Sequence, residues 1–507
     1  MFSSSVIKGG YDLWLQSAVF AFMRSVYHVF SRAFANSTIV HWFVRDSRLE
    51  LIYANSLFAR LFKWVLDKII WLLDLFFAAF ERAAEGSITA AFLKRFVNSS
   101  FLINYETIFG GFVFLMFIIP HQFWSNQYAV AASLGLFAIY LLMVGAGHRK
   151  LYYPHNMGFP IMLFAIACVF SLAFSYVRHD TLRVLFFYIA ALFFLFTIPA
   201  NFTSKERLMK LLAFIYFAVI IMSLLGIAQR ILGIMPNASF TDLNINRGVP
   251  GRVYSSFDNP NNYAQFIVLM TPLAAVFAAN AGRKWLRFPL CVGIVFPAIA
   301  LIMTYSRSSW ISMLLTCIVF VYYADKKHLP ALFLAGVVIF PLMPDSVMIR
   351  IASLFDVNDT SNAFRLLIWG ASIEMARDYF LTGIGLGPES FAYIYPEYAH
   401  RNARWGVPHS HMVYMGLIIE LGILGFLSFM WYMLRLWKDS ACAILSCSDR
   451  VIKLMLAACI ASLVGISFAF AAEYVWYYPR VFFTYFILAG ITTAAIRIQK
   501  SQLEVSS

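Results

Sequence analysis

From about residue 105 onward, the chain alternates between long apolar blocks and short polar stretches. The blocks are close to the roughly 20 residues that an α-helix needs to cross a bilayer. Because lipid offers no hydrogen-bond partner to backbone groups, helices are the predicted form. Block length alone predicts about twelve spans and an all-α integral membrane protein. The predicted spans are residues 105–119, 128–146, 159–177, 182–201, 208–231, 263–281, 286–305, 308–324, 329–343, 411–436, 452–472 and 481–496.

The first hundred residues have a different pattern, in which charged residues interrupt apolar stripes at helical spacing. Arg60, Lys63 and Asp67, for example, divide an aromatic and aliphatic stripe. Such a helix can lie in the membrane interface. An amphipathic hairpin packed on the membrane domain and a separate partner-binding module are both open. We therefore predict an N-terminal amphipathic or interfacial helical region over residues 1–103 and a polytopic membrane domain over residues 104–500.

Composition supports a membrane protein and argues against other classes. The chain is 61% hydrophobic and 13% charged, whereas soluble chains carry about a quarter charged residues. The net charge of +14 comes from Lys and Arg at the ends of apolar blocks. This placement indicates topology and contact with membrane lipids rather than nucleic-acid binding. The six cysteines lack zinc-like spacing, so we expect neither a disulfide nor a metal.

The same Lys and Arg residues predict the orientation. Their clusters fall in every second short loop and at the C-terminal end, and the positive-inside rule makes that side cytoplasmic. Both termini are then cytoplasmic. Two long connections, residues 232–262 and 344–410, are placed outside. A non-spanning segment as long as the second usually has a function, and its apolar spacing predicts that it is partly helical.

The first long connection is a candidate anion site. Arg247 and Arg252 precede a turn-rich run that contains Asn259 and Asn261, and the next helix is predicted to begin near Asn261. A helix N-terminus beside two arginines favours a bound anion. The alternative is that both arginines face outer-leaflet headgroups.

The second long connection carries Arg365 and Trp369 near the start of a predicted amphipathic helix. A glycine run at residues 383–387 follows. It lacks the preceding strand and the spacing of a nucleotide site. A lone arginine at this position is more often a solvated charge.

At the end of this connection, His409 and His411 lie where the chain re-enters the membrane, with Glu420 deeper in the next span. Ionisable groups at such positions are functional candidates. A shared metal is disfavoured, because i, i+2 spacing suits one helix face poorly and no further ligand accompanies the pair. His411 is better suited to act as a base or hydrogen-bond donor. Glu420 would more often anchor a helix.

Four short motifs occur in an order that resembles a known family. They are RVYSSFDNPNNYA from Arg252, SRSSW from Ser306, RLLIW from Arg365 with LTGIGLG after it, and HMVYMGLIIELGILG from His411. Each motif is weak alone, but their order across residues 243–425, set among about twelve spans, resembles the O-antigen ligase family, also called the Wzy/WaaL type. The first hundred residues have no counterpart in it.

The resemblance implies a GT-C-like membrane glycosyltransferase in the bacterial cytoplasmic (inner) membrane. Such an enzyme transfers a glycan from undecaprenyl diphosphate to an acceptor hydroxyl at the outer face, with no metal, nucleotide or other cofactor. The acceptor would be a glycan for a polymerase, and lipid A core or a protein for a ligase; both remain open. A secondary transporter or flippase for a lipid-linked saccharide is the rival, but it would place its charges at the membrane midplane.

The resemblance also implies residue roles. Arg252 and Arg365 match arginines that hold the diphosphate, with Arg247 as a further candidate. His411 matches the histidine that activates the acceptor. Met412 stands where the family has Asn, so His409 could substitute. The predicted supporting residues are Asn259, Asn261, Arg307, Trp369 and Glu420.

Overall fold

A computed structural model describes residues 55–83, 104–146, 148–152, 158–234, 251–354, 356, 359–400 and 407–506, with isolated positions nearer the N-terminus. Arg247 lies outside the described residues. All regular secondary structure in the described part is helical. The α-helices, in chain order, are α1 (Leu57–Ala83), α2 (Tyr105–Ile118), α3 (Asn126–Gly145), α4 (Phe159–Phe170), α5 (Arg178–Asn201), α6 (Lys205–Ile231), α7 (Pro260–Asn280), α8 (Lys284–Gly293), α9 (Val295–Met303), α10 (Arg307–Asp325), α11 (Leu329–Ile339), α12 (Asp345–Ala352), α13 (Thr360–Asp378), α14 (Pro388–Ile394), α15 (Val413–Leu445), α16 (Arg450–Ala469) and α17 (Pro479–Ser506).

Within the described residues, nine helical stretches are long and apolar enough to cross a membrane. This confirms the prediction of an all-α, multi-pass membrane protein. Helices α8 and α9 together form one stretch, as do α10 and α11. The predicted spans at residues 105–119 and 159–177 correspond to the shorter apolar helices α2 and α4. The count of about twelve spans therefore stays a prediction.

Helix α4 ends earlier than the apolar pattern predicts. It stops at Phe170, and the chain then turns toward the glycine run, where the Tyr176 amide donates to the Ile384 carbonyl at 3.1 Å. Apolar residues beyond Phe170 therefore extend the hydrophobic block without extending the helix.

Helix α7 is the central element of the bundle. It packs against α6, α10, α16 and α17, and most of its side chains are buried. Its start follows the predicted logic: the Asn259 side chain accepts the Asn261 amide at 2.8 Å, and Pro260 occupies the first helical position. Arg252, at the start of this turn-rich run, thus lies near the N-terminus of a buried helix.

Helix α15 is kinked at Gly422, which has a left-handed φ of 66°. The glycine run lies against this kink: the amides of Ile384 and Gly385 donate to the carbonyls of Ile419 and Glu420, at 2.8 and 3.2 Å. A side chain on Gly383 would collide with the Glu420 backbone. The run therefore allows the long connection that precedes α15 to pack closely on α15, next to Glu420.

Candidate functional site

Arg252 is buried beside the N-terminus of α7. Its Nε donates to the Thr304 carbonyl at 2.7 Å, and its guanidinium also donates to the Asn261 side chain. Thr304 lies between α9 and α10, so this arginine joins two segments that are about fifty residues apart in sequence. The guanidinium is thereby held in one orientation.

Arg307, at the start of α10, is occupied by protein partners. Its two terminal nitrogens donate to the Ser353 carbonyl at 2.6 Å, to Asp359 at 2.9 Å and to Asn362 at 2.8 Å. Asp359 in turn caps α13 by accepting the Asn362 amide. These contacts join the start of α10 to the start of α13.

Arg365 projects from the first turns of α13 and forms an ion pair with Glu473. Glu473 belongs to the short connection between α16 and α17, and it also accepts the Asn261 side-chain amide at 3.4 Å. One carboxylate therefore links Arg365 to the residue that contacts Arg252. The structure thus brings together the two arginines that the sequence singled out.

Two members of this cluster were missed by the sequence analysis. Arg350 lies in α12, 3.6 Å from Asp359, and Glu473 pairs with Arg365. Arg350 had no motif to mark it. Glu473 gave a weak signal, because it is an acid in a short connection between two predicted spans.

The cluster has an excess of positive charge. Burial, together with the charge of Arg350, lowers the pKa of Arg252 to about 9, and the charge of Glu473 opposes this shift. Burial and the charge of Arg307 lower the pKa of Arg350 to about 10. Among the described residues of this cluster, four arginines lie near two carboxylates, Asp359 and Glu473. A bound anion would relieve this imbalance.

His409 and His411 lie beside Arg365, with their ring centroids 4.3 Å apart. His409 is buried against Tyr474 and Tyr477, and its Nδ1 accepts the His411 amide at 3.2 Å. His411 Nδ1 is buried and has no hydrogen-bond partner within the described part of the chain. Among the described residues, the Nδ1 of His411 thus makes no hydrogen bond, whereas the Nδ1 of His409 accepts one from the backbone.

Both histidines favour the neutral form. Burial lowers the pKa of His409 well below 6.5, and the charges of His411 and Arg365 act in the same direction. Burial also lowers the pKa of His411; Arg365 adds to the shift, while Glu473 opposes it. A neutral imidazole at pH 7 is able to accept a proton.

Backbone strain is concentrated around these residues. Ser255, Tyr305 and His411 are the non-glycine residues that adopt positive φ in the described part, at 55°, 51° and 52°. Ser255 follows the Arg252 segment, and Tyr305 precedes Arg307. Such conformations persist where surrounding structure enforces them, and they often mark functional sites.

The contacts of the remaining predicted residues, Asn259, Trp369 and Glu420, are as follows. Asn259 caps α7 and donates to the Tyr478 hydroxyl at 3.1 Å. Trp369 lies one turn after Arg365, with its indole nitrogen buried. Glu420 accepts from the Tyr474 hydroxyl and, at 3.3 Å, from the Gly387 amide. Glu420 therefore anchors the glycine run to α15, the anchoring role that the sequence favoured.

Across the described positions, no group of three or more His, Cys, Asp or Glu side chains is placed to hold a metal ion. The donors that converge here are guanidinium groups and amides, which suit an anion such as a phosphate.

No curated protein matches the chain. A protein family does: residues 292–430 match the family model described as O-Antigen ligase. The matched region contains Arg307, Arg365, His409, His411 and Glu420, while Arg252 precedes it. The similarity over these residues supports assignment of the chain to the O-antigen ligase/polymerase family.

Proposed function

We propose that the protein transfers a glycan from undecaprenyl diphosphate to an acceptor hydroxyl at the outer face of the bacterial cytoplasmic membrane. One observation carries the proposal: the buried Arg252 and the half-buried Arg365, from separate segments, converge beside a histidine with an uncommitted ring nitrogen. This combination supplies an anion site for a leaving group and a base for a nucleophile.

On the donor side, Arg252 and Arg365 bind the diphosphate. Their present partners, the Asn261 amide and the Glu473 carboxylate, occupy donors that phosphate oxygens would take over. The forked guanidinium groups suit phosphate geometry and stabilise the charge that develops as the diphosphate departs. Arg307 and Arg350 add positive charge behind this contact.

On the acceptor side, His411 Nδ1 takes the proton of the attacking hydroxyl. The hydroxyl oxygen bonds to the anomeric carbon, and the bond from that carbon to the diphosphate oxygen breaks, with its electron pair leaving on the diphosphate. The imidazolium that forms is stabilised by Glu473, whose charge raises the pKa of His411. Because the leaving group is already good, the reaction as proposed needs no metal ion.

The direct test is the glycan phenotype of cells that lack the protein. Loss of attachment, with long glycans still on the lipid carrier, would identify a ligase, whereas single repeats would identify a polymerase. Purified protein should also retain transfer activity in excess chelator. A deletion that leaves both lipid-linked and attached glycans unchanged would contradict the proposal.

A further inference from the structure

The segment that carries Arg252 continues into a tight turn. The Phe257 amide donates to the Tyr254 carbonyl at 3.0 Å, and between them Ser255 has a left-handed φ of 55°. This conformation is unfavourable for a residue other than glycine, and it persists only where the surrounding structure enforces it. Ser255 is buried and lies three positions after Arg252. Whatever enforces its conformation therefore also influences where the Arg252 guanidinium lies.

The enforcing contact comes from the last turn of α6. The side-chain oxygen of Gln229 accepts a hydrogen bond from the Ser255 amide at 2.7 Å, and its side-chain nitrogen donates to the Ser255 carbonyl at 2.8 Å. The same oxygen accepts from the Tyr254 amide at 3.3 Å. Because both backbone groups of Ser255 bond to one buried side chain, a change in the Ser255 conformation would break both hydrogen bonds at once.

Other residues of α6 hold the same segment. The Arg230 guanidinium donates to the Gly251 carbonyl at 3.1 Å, on the residue just before Arg252. The Met222 carbonyl accepts from the Ser255 hydroxyl at 2.7 Å. Helix α6 therefore holds the chain on both sides of Arg252, at residue 251 and at residue 255.

Gln229 contacts the turn and not the arginine cluster. Within the described residues, the hydrogen bonds of its side chain go to the backbone of residues 254 and 255. Its influence on the diphosphate site would therefore pass through the backbone to Arg252. Gln229 lies in α6, before residues 292–430 that match the family model.

We propose that Gln229 is a positioning residue for the diphosphate site. Its side-chain amide enforces the left-handed conformation of Ser255 and thereby holds the Arg252 guanidinium in the orientation that binds the diphosphate. The inference rests on the proposed function for the role of Arg252. It rests on the contacts of Gln229 alone for the conformation of the turn.

The test uses the purified full chain in nanodiscs. The probe is farnesyl diphosphate, and farnesol is the control for binding that does not involve the diphosphate. Gln229→Met keeps the length of the side chain and removes its hydrogen bonds, so it should weaken probe binding about tenfold. It should also speed hydrogen exchange in residues 252–257. Gln499→Met is the matched control, because Gln499 is also buried but bonds to Ser446. It should change neither measurement.

A second substitution separates positioning from a general loss of stability. Glycine adopts a left-handed φ without enforcement, so Ser255→Gly introduced into Gln229→Met should recover most of the lost affinity. A general loss of stability would not recover, because Ser255→Gly also removes the hydrogen bond to Met222. Where Gln229→Met does not accumulate in the membrane, Gln229→Asn replaces it. That side chain keeps the amide but is too short to reach both groups of Ser255, so the probe affinity should fall in the same direction.

Combination with Arg252→Lys shows whether Gln229 acts through Arg252. If it does, Gln229→Met should cause little further loss in an Arg252→Lys background, because the contact that it positions is already impaired. A full additional loss, unchanged affinity or exchange in Gln229→Met, or no recovery by Ser255→Gly would overturn the inference. If Arg252→Lys itself leaves probe affinity unchanged, the proposed donor site is wrong, and hydrogen exchange in residues 252–257 still decides whether Gln229 holds the turn.

Discussion

At the residue scale, a substitution of Arg365 can show whether donor binding requires only its positive charge or also its planar guanidinium group. Replacing it by Lys keeps the charge and loses the planar fork that contacts two phosphate oxygens. We expect Arg365→Lys to lower transfer activity at least tenfold, chiefly through weaker donor binding, at an unchanged protein level. The measurement is transfer rate against donor concentration.

Arg377→Lys is the matched control, because Arg377 lies on the same helix but is exposed and contacts only Glu374 within the described part. It should keep normal activity. If Arg365→Lys behaves like this control, Arg365 is not a bidentate phosphate contact.

The ionisation of His411 predicts a pH profile. Burial lowers the pKa of His411 below 6.5, so the base form predominates at neutral pH and is lost only as the pH falls below that value. Arg252 stays charged across this range, because a guanidinium is effectively always protonated in proteins. We expect kcat/KM to be level near neutrality, with an acid limb below pH 6.5. An acid limb centred above pH 6.5 would contradict this assignment.

At the element scale, the start of α15 has no side-chain cap among the described residues, although the Val413 amide donates to the Phe470 carbonyl at 2.9 Å. Met412 is the N-cap residue and provides no side-chain hydrogen bond, whereas the family has Asn at this position. An Asn side chain can accept an unsatisfied amide of the first turn. Met412→Asn should therefore stabilise the protein by about 1 kcal/mol, seen as a higher thermal unfolding midpoint.

Ser204→Ala supplies the opposite control, because Ser204 already caps α6 by accepting the Arg207 amide. It should lower the midpoint by a comparable amount. Ser204→Ala is expected to lower the midpoint in any case. If Met412→Asn lowers it as well, an Asn side chain at residue 412 does not cap α15.

The elements also show how far the sequence could predict this site. The start of α7 near Asn261 was predictable, because turn and capping residues act locally. The meeting of Arg252 with Arg365 was suggested by family resemblance alone. The pairing of Glu473 with Arg365 was not predictable, because it joins residues 108 positions apart through packing of α13 against the bundle. Apolar block length likewise did not locate the end of α4.

At the scale of the whole molecule, the proposed reaction requires the arginine site to be outside the cytoplasm. In a cysteine-free background, Tyr393→Cys, on an exposed part of α14, should react with an impermeant maleimide in intact spheroplasts. Lys327→Cys, on the predicted cytoplasmic side, should react only after permeabilisation. The reverse pattern would overturn the positive-inside prediction.

The two neighbouring histidines differ in the hydrogen bonding of their ring nitrogens. His411 has a buried, uncommitted Nδ1 beside Arg365, whereas the Nδ1 of His409 accepts the His411 amide. A base acts when the hydroxyl is attacked, so its loss affects turnover and not donor binding.

The decisive measurement is donor binding and transfer rate for His411→Ala and His409→Ala, each at normal membrane abundance. We predict that His411→Ala binds donor normally and loses on the order of a hundred- to ten-thousand-fold in rate, while His409→Ala is milder. A fully active His411→Ala with an inactive His409→Ala would place the base at His409. Full activity in both variants would contradict histidine catalysis altogether.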